Sequence, residues 1–314
     1  MLRTLMAGPL MIAALLVTLP GWAGDCEPSR WGADDEIGNA NLVTPESVLA
    51  ASKLVTTGKT YSLGITIDST TPAFAPRQMS LHVVQPGQQQ GRAAFPNAIY
   101  NDDVFVGWFG IGSQLDGLGH IGDADGLHYN CLDSKDISQY TGMTKLGTHG
   151  VPPIVARGVV LDMAAHKGVE HLEAGQYFTV EDVKAVEKKQ GTPIREGDVV
   201  LFHTGWTDAK LQSDPQAWVS AEPGQSEEVA NYLASRNVVA VGADTWGLDV
   251  MPPQHPTRPF QGHVILLVDH GIYILETMNT GPLVRDGVHE FLFVLGQAKV
   301  RGAVQMIINP VAIR

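Results

Sequence analysis

Thr179-Val-Glu-Asp182, the end signal Gly191, and Asp198-Val-Val-Leu-Phe202 form the stretch from which the fold is read. Thr179 is an N-cap with acid in the first turn behind it, and Gly191 stops the helix. The run that follows is continuously apolar, as a strand covered on both faces is. Further on, Ser226-Glu-Glu opens a helix that ends around Asn237, and the strand-like run Val238-Val-Ala-Val241 follows it. Upstream, Thr44-Pro45-Glu46 opens a helix to about Val55, with proline at its first position. Further strand-like runs cover residues 61–67, 104–108, 158–161, 272–275, 291–295 and 304–308. Strands outnumber helices, so a mixed α/β domain with a sheet or barrel-like core is expected.

The 314 residues carry 21 Lys plus Arg against 33 Asp plus Glu, a net charge of -12. That balance argues against nucleic acid as a partner. Lys184, Lys188 and Lys189 cluster on the helix after Thr179, among acids, and read as a solvated face. With 44% hydrophobic residues the chain can bury a large core, and no linker divides it. At the start, Arg3 precedes an apolar run over residues 10–19, then Pro20 and the small residues Gly21, Ala23 and Gly24. This predicts a signal peptide over residues 1–24, cut after Ala23 or Gly24. The run is too short for a membrane span, which needs roughly 20 residues. A single domain over residues 25–314, secreted to the periplasm and free of the membrane, is the expectation. Cys26 and Cys131 either pair there or remain two thiols, and neither has metal-site spacing.

No GxSxG elbow, Walker loop or HExxH occurs, and Gly107-Trp-Phe-Gly-Ile-Gly112 has aromatic bulk where a pyrophosphate would need bare backbone. The densest polar cluster is Ser113-Gln-Leu-Asp-Gly-Leu-Gly-His120, placed directly after the strand that starts near Val104. Gln114 and Asp116 are two apart and share a side of an extended segment. His120 follows across a glycine-rich turn. Such a set suits a metal or acid–base site, or a polar loop in which Asp116 caps backbone amides. His263 and Glu276, the latter ending an apolar strand, form a second cluster; a carboxylate buried there needs a cation. His128, His149 and His203 are lesser candidates, Asp249 a candidate neighbour of the site. Trp108, Phe109, Trp206 and Trp246 are candidates for an apolar wall.

Together the two clusters resemble the cyclase family of metal-dependent hydrolases, which includes kynurenine formamidase and isatin hydrolase. Its signature HxGTHxDxPxH lies over residues 110–120, and its later His and Glu over His263 and Glu276. Gly110, Gln114 and Leu118 stand where the signature has His, His and Pro, while Asp116 and His120 are kept; a TQxDxLxH version marks a subgroup. The resemblance implies a swivelling β/β/α domain, a homo-oligomer, and a small-molecule substrate with a C–N amide bond, a formamide or cyclic amide. It implies one divalent ion held by Gln114, Asp116, His263 and Glu276, with His120 as general acid/base toward metal-activated water. This oxygen-biased donor set leans to Mn²⁺, with Zn²⁺ the alternative. A non-catalytic periplasmic binding protein on the same scaffold and a lyase using the ion as Lewis acid are the rival readings.

Overall fold

Three side chains start the three longer helices: α1 (Pro45–Ser52), α2 (Val180–Gln190) and α3 (Glu227–Ser235). The hydroxyls of Thr44, Thr179 and Ser226 each accept a hydrogen bond from the backbone N–H three residues on. Each such cap is worth about 1 kcal/mol. Gly191, at φ 71°, ends α2 in the left-handed region that glycine adopts without cost. α3 buries Val229, Ala230, Leu233 and Ala234 along one stripe in the common core, beside α2.

The computed structural model describes residues 26–85 and 98–314, and in it nine strands form one mixed sheet. In chain order they are β1 (Thr60–Ser62), β2 (Gln114–Asp116), β3 (Ile154–Asp162), β4 (Val199–His203), β5 (Ala240–Ala243), β6 (Tyr273–Glu276), β7 (Glu290–Leu295), β8 (Gln305–Ile307) and β9 (Val311–Ile313). Across the sheet they lie β1-β9-β7-β3-β4-β5-β6-β2-β8. The centre, β3 to β6, is parallel, and antiparallel pairs complete both flanks. Every residue of β4 and β5 is buried, which is why those runs are apolar without alternation. The expected mixed α/β class, with its large sheet, is what the chain adopts.

The expected strand at residues 104–108 does not lead into the sheet. Asp102–Gly107 pairs instead with Met79–Val84 in a separate two-stranded ribbon. Its apolar residues are exposed, Val83 by 64% and Val106 by 63%, so their hydrophobicity marked an outer surface. β2 was not expected as a strand, since Leu115 is its only apolar residue. β1 is shorter than expected, ending at Ser62; beyond it the Gly64 N–H donates to the Asn309 side chain.

Cys26 and Cys131 form a disulfide across 105 residues, which settles the open alternative. Closing a loop that long removes about 4–5 kcal/mol of chain entropy from the unfolded state. The leader expected over residues 1–24 and the loop over residues 86–96 lie outside the described residues. Among the described residues, no helix is long and apolar enough to cross a membrane.

Candidate metal centre and its cavity

Strand register assembles the site. Antiparallel pairing sets Glu276 opposite Gln114 and Gln305 opposite Asp116. Residues directly opposite share a face, and so do residues two apart, so all four side chains emerge together. Leu115 turns the other way into the core and is fully buried. His263 arrives from a helical turn, Gln261–His263, that continues as a π-helix, Val264–Asp269. Such bulges recur at functional sites.

His263 Nε2 lies 3.1 Å from Glu276 Oε1 and 3.9 Å from Asp116 Oδ2. The nearest ligand atoms of Asp116, His263 and Glu276 all fall within 4.8 Å of one another, and all three residues are buried. Asp116 Oδ2 is buried with no hydrogen-bond partner. Its other oxygen accepts from Gln305 Nε2 at 2.7 Å and from Gln114 Nε2 at 3.1 Å. Gln114 Nε2 also donates to Glu276 Oε2 at 2.5 Å. Gln114 therefore borders the cluster but presents its nitrogen; its oxygen would face a cation only after the amide turns over.

Behind His263 stands Asp249, 3.0 Å from Nδ1. A carboxylate there holds the proton on Nδ1 and leaves the Nε2 lone pair to the cluster. Asp249 is itself held by Gln225 Nε2 at 3.0 Å. Gly262 makes room for this: a Cβ there would stand 2.0 Å from Asp249 Oδ1.

Burial disfavours charge on Glu276, and the neighbouring Asp116 adds to it, pushing the carboxyl up to about 8. Burial alone would push His263 down, but its hydrogen bonds to Asp249 and Glu276 outweigh that and raise it well above the ordinary imidazole range. Glu222, also fully buried and near Glu276, is raised well above its usual range by desolvation first. Carboxylates crowded this way bind protons unless a cation joins them. An unpartnered carboxylate oxygen, an imidazole whose Nε2 would give up its proton to a cation, and a second carboxylate are the donor set a divalent ion takes. These residues fit such an ion.

The cluster opens into a cavity of about 190 Å³ lined by Phe74, Arg77, His120, Trp246, Phe260 and their neighbours. Phe74 and Trp246 stack at 5.4 Å, and Phe260 meets Trp246 edge-on at 6.4 Å. His120 lies outside the three-ligand group but on the same cavity. Burial lowers its pKa, with Asp116 opposing, so the ring is neutral near pH 7. It also lines a larger outer cavity of about 790 Å³, together with Trp108, Phe109, His128 and Gln305.

The family profile for Cyclase matches residues 61–250. The chain belongs to the cyclase family. Among solved structures, one named a novel cyclase is 29% identical, with a TM-score of 0.81 over 90% of this chain and 98% of its own. Isatin hydrolase A from Labrenzia aggregata, bound to benzyl benzoate, is 20% identical, with a TM-score of 0.62 over 87% of this chain and 98% of its own. A protein from Bacillus stearothermophilus named "predicted metal-dependent hydrolase" is 16% identical, with a TM-score of 0.53 over 82% and 98%. At those identities the last two share the fold with this chain. No curated protein matches by sequence.

Within the cyclase fold the other expected residues have various places. Trp246 lines the inner cavity, but Trp206 does not: it packs behind that wall, in one buried cluster with Trp218 and Trp246, and donates its indole N–H to the Trp218 carbonyl. His203 is held inside by Thr280 at 2.8 Å, and His149 Nδ1 accepts from the Gly302 amide at 3.3 Å. Sequence reading missed Phe74, Arg77, Phe260, Glu222 and Gln305. Glu222 Oε2 accepts the amides of Trp246 and Gly247 and so fixes one wall of the cavity. A polar residue inside the apolar run 304–308 was the available signal for Gln305.

Proposed function

We propose that the chain is a metal-dependent hydrolase that cleaves the C–N bond of a small aromatic formamide or cyclic amide. The observation that carries this is the three-ligand cluster with its unpartnered Asp116 oxygen, opening beside His120 into an aromatic cavity. Asp116, His263 and Glu276, with Gln114 as a fourth ligand once its amide turns over, would hold a divalent ion, whose chemistry there would be Lewis-acid activation of water and of the scissile carbonyl. The oxygen-rich donors favour Mn²⁺, and Zn²⁺ is the alternative. Asp249 fixes the His263 tautomer, and Gln305 holds the Asp116 carboxylate in place. His120, neutral, accepts a proton at a ring nitrogen and returns it to the leaving nitrogen. Phe74, Trp246 and Phe260 sandwich a planar group and exclude water. Names of relatives support this reading, isatin hydrolase above all, since isatin is a cyclic aryl amide.

Elemental analysis of chain purified without added metal, followed by assays of arylformamides, isatin-like lactams and lactones, tests it. Near-stoichiometric metal and amide cleavage are expected. Substoichiometric metal with no activity gained on adding Mn²⁺ or Zn²⁺ overturns it. We further propose a homo-oligomer, exported to the periplasm. The exposed ribbon, with Leu81, Val83, Phe105 and Val106, supports the first, because apolar patches of that kind mark contacts. The disulfide supports the second. Light scattering and the intact mass of chain from a periplasmic extract check both; a monomer or a mass retaining residues 1–24 goes against them.

A further inference from the structure

Arg77 is half-buried on the wall of the inner cavity, close enough to act electrostatically on both Glu276 and His120. Among the described residues it forms no ion pair. Among the described residues its guanidinium makes one hydrogen bond, from Nη1 to the backbone carbonyl of Gly110 at 3.0 Å. Gly110 leaves the space for it: a Cβ at that position would stand 2.9 Å from both Cζ and Nη1. A guanidinium has five N–H donors in a planar fork that fits a carboxylate with two parallel bonds. Here one donor is used, to steer the group, and the cavity it lines is walled by the apolar side chains of Phe74, Ile121, Trp246 and Phe260 beside His120, His263 and Glu276. Among the described residues none of the carboxylates Asp116, Glu276 and Glu222 forms an ion pair with Arg77; each has at least one oxygen held by an amide or by His263.

We propose that Arg77 is a specificity-determining residue that binds a carboxylate carried by the substrate, so that the preferred amide is an aromatic one with an acidic substituent. The inference rests on the hydrolase reading above for the word substrate, but not for the binding itself. An aromatic ring resting against the wall of Trp246 and Phe260 would direct its carboxylate to Arg77 and leave its amide for the His263 side of the cavity. Charge-assisted pairs of this kind, in a partly dry site, are stronger than neutral hydrogen bonds.

Titration calorimetry with benzoate, and with benzamide as its neutral counterpart, decides the matter on the metal-loaded chain and on Arg77→Ala and Arg77→Lys. Benzoate is expected to bind about tenfold or more weakly to Arg77→Ala, with partial recovery in Arg77→Lys, while benzamide binds all three alike. No benzoate binding by the native chain, equal benzoate affinity in the variants, or equal loss for both probes would overturn the proposal. Kinetics give a second reading: for amides bearing a carboxylate, Arg77→Ala raises KM and leaves kcat unchanged. An equal fall in kcat for charged and neutral amides would instead make Arg77 a stabiliser of the reacting oxygen. If the native chain cleaves no amide at all, the hydrolase reading fails, and the benzoate titration still tests Arg77.

Discussion

Asp116→Asn is expected to weaken divalent-ion binding by more than about 100-fold, because even residues that only support a ligand cost 10–100-fold when lost. The substitution keeps the size of the side chain and its place opposite Gln305, so the sheet register is untouched. It takes the charge from a buried carboxylate whose Oδ2 has no partner of its own. It also relieves Glu276, whose carboxyl Asp116 helps push up to about 8. Between the ordinary carboxyl value and that raised one, the folded metal-free chain holds a proton the unfolded chain has lost, so stability falls as pH rises. The raised His263 acts in the same direction: its contribution is complete below the ordinary imidazole value of 6.5 and is lost as pH rises through the higher folded value. Ion binding displaces these protons, so affinity should climb with pH up to about 8. Metal titrations at several pH values, with melting curves of the metal-free chains, check both parts. Asp116→Asn melting below the native metal-free chain at pH 8 would contradict the account, as would retained metal affinity.

His120→Ala is expected to lower kcat by about 10²–10⁴-fold, the range a positioned acid/base supplies, while the ion stays bound. The separation of roles follows from geometry: His120 shares the cavity with Asp116, His263 and Glu276 but is not part of their ligand group. Since burial lowers its pKa, the rate of the native enzyme should not require pH above neutrality to free the ring. Metal content measured beside steady-state rates settles the point. Loss of metal in His120→Ala would make His120 a ligand, and unchanged kcat would remove it from the chemistry.

What could be read from the sequence depended on whether one segment held the whole signal. α2 was legible because Thr179, Asp182 and Gly191 carry its start and stop locally. β4 and β5 were legible because strands buried on both faces are apolar throughout. The ribbon misled for the same reason inverted: Val104 and Val106 are apolar and lie outside. Asp116, His263 and Glu276 were reached through motif spacing and a resemblance, and the structure brings them together. Gln305, Glu222 and Arg77 were not, because each matters through a neighbour far along the chain. Asp116 lies 189 residues from Gln305, and no local pattern encodes that pairing.

The three-strand register has a consequence for where the ion comes from. Gln114 and Glu276 meet across 162 residues, so the ligand set does not exist until β2, β6 and β8 are in place. A one-residue slip of β2 would put Leu115 among the ligands and turn Gln114 and Asp116 away. On the proposed export, a chain that crossed the membrane unfolded would carry no site in the cytoplasm. The ion would then be chosen by the composition of the compartment in which the sheet closes, and the place of folding would become part of the site's selectivity.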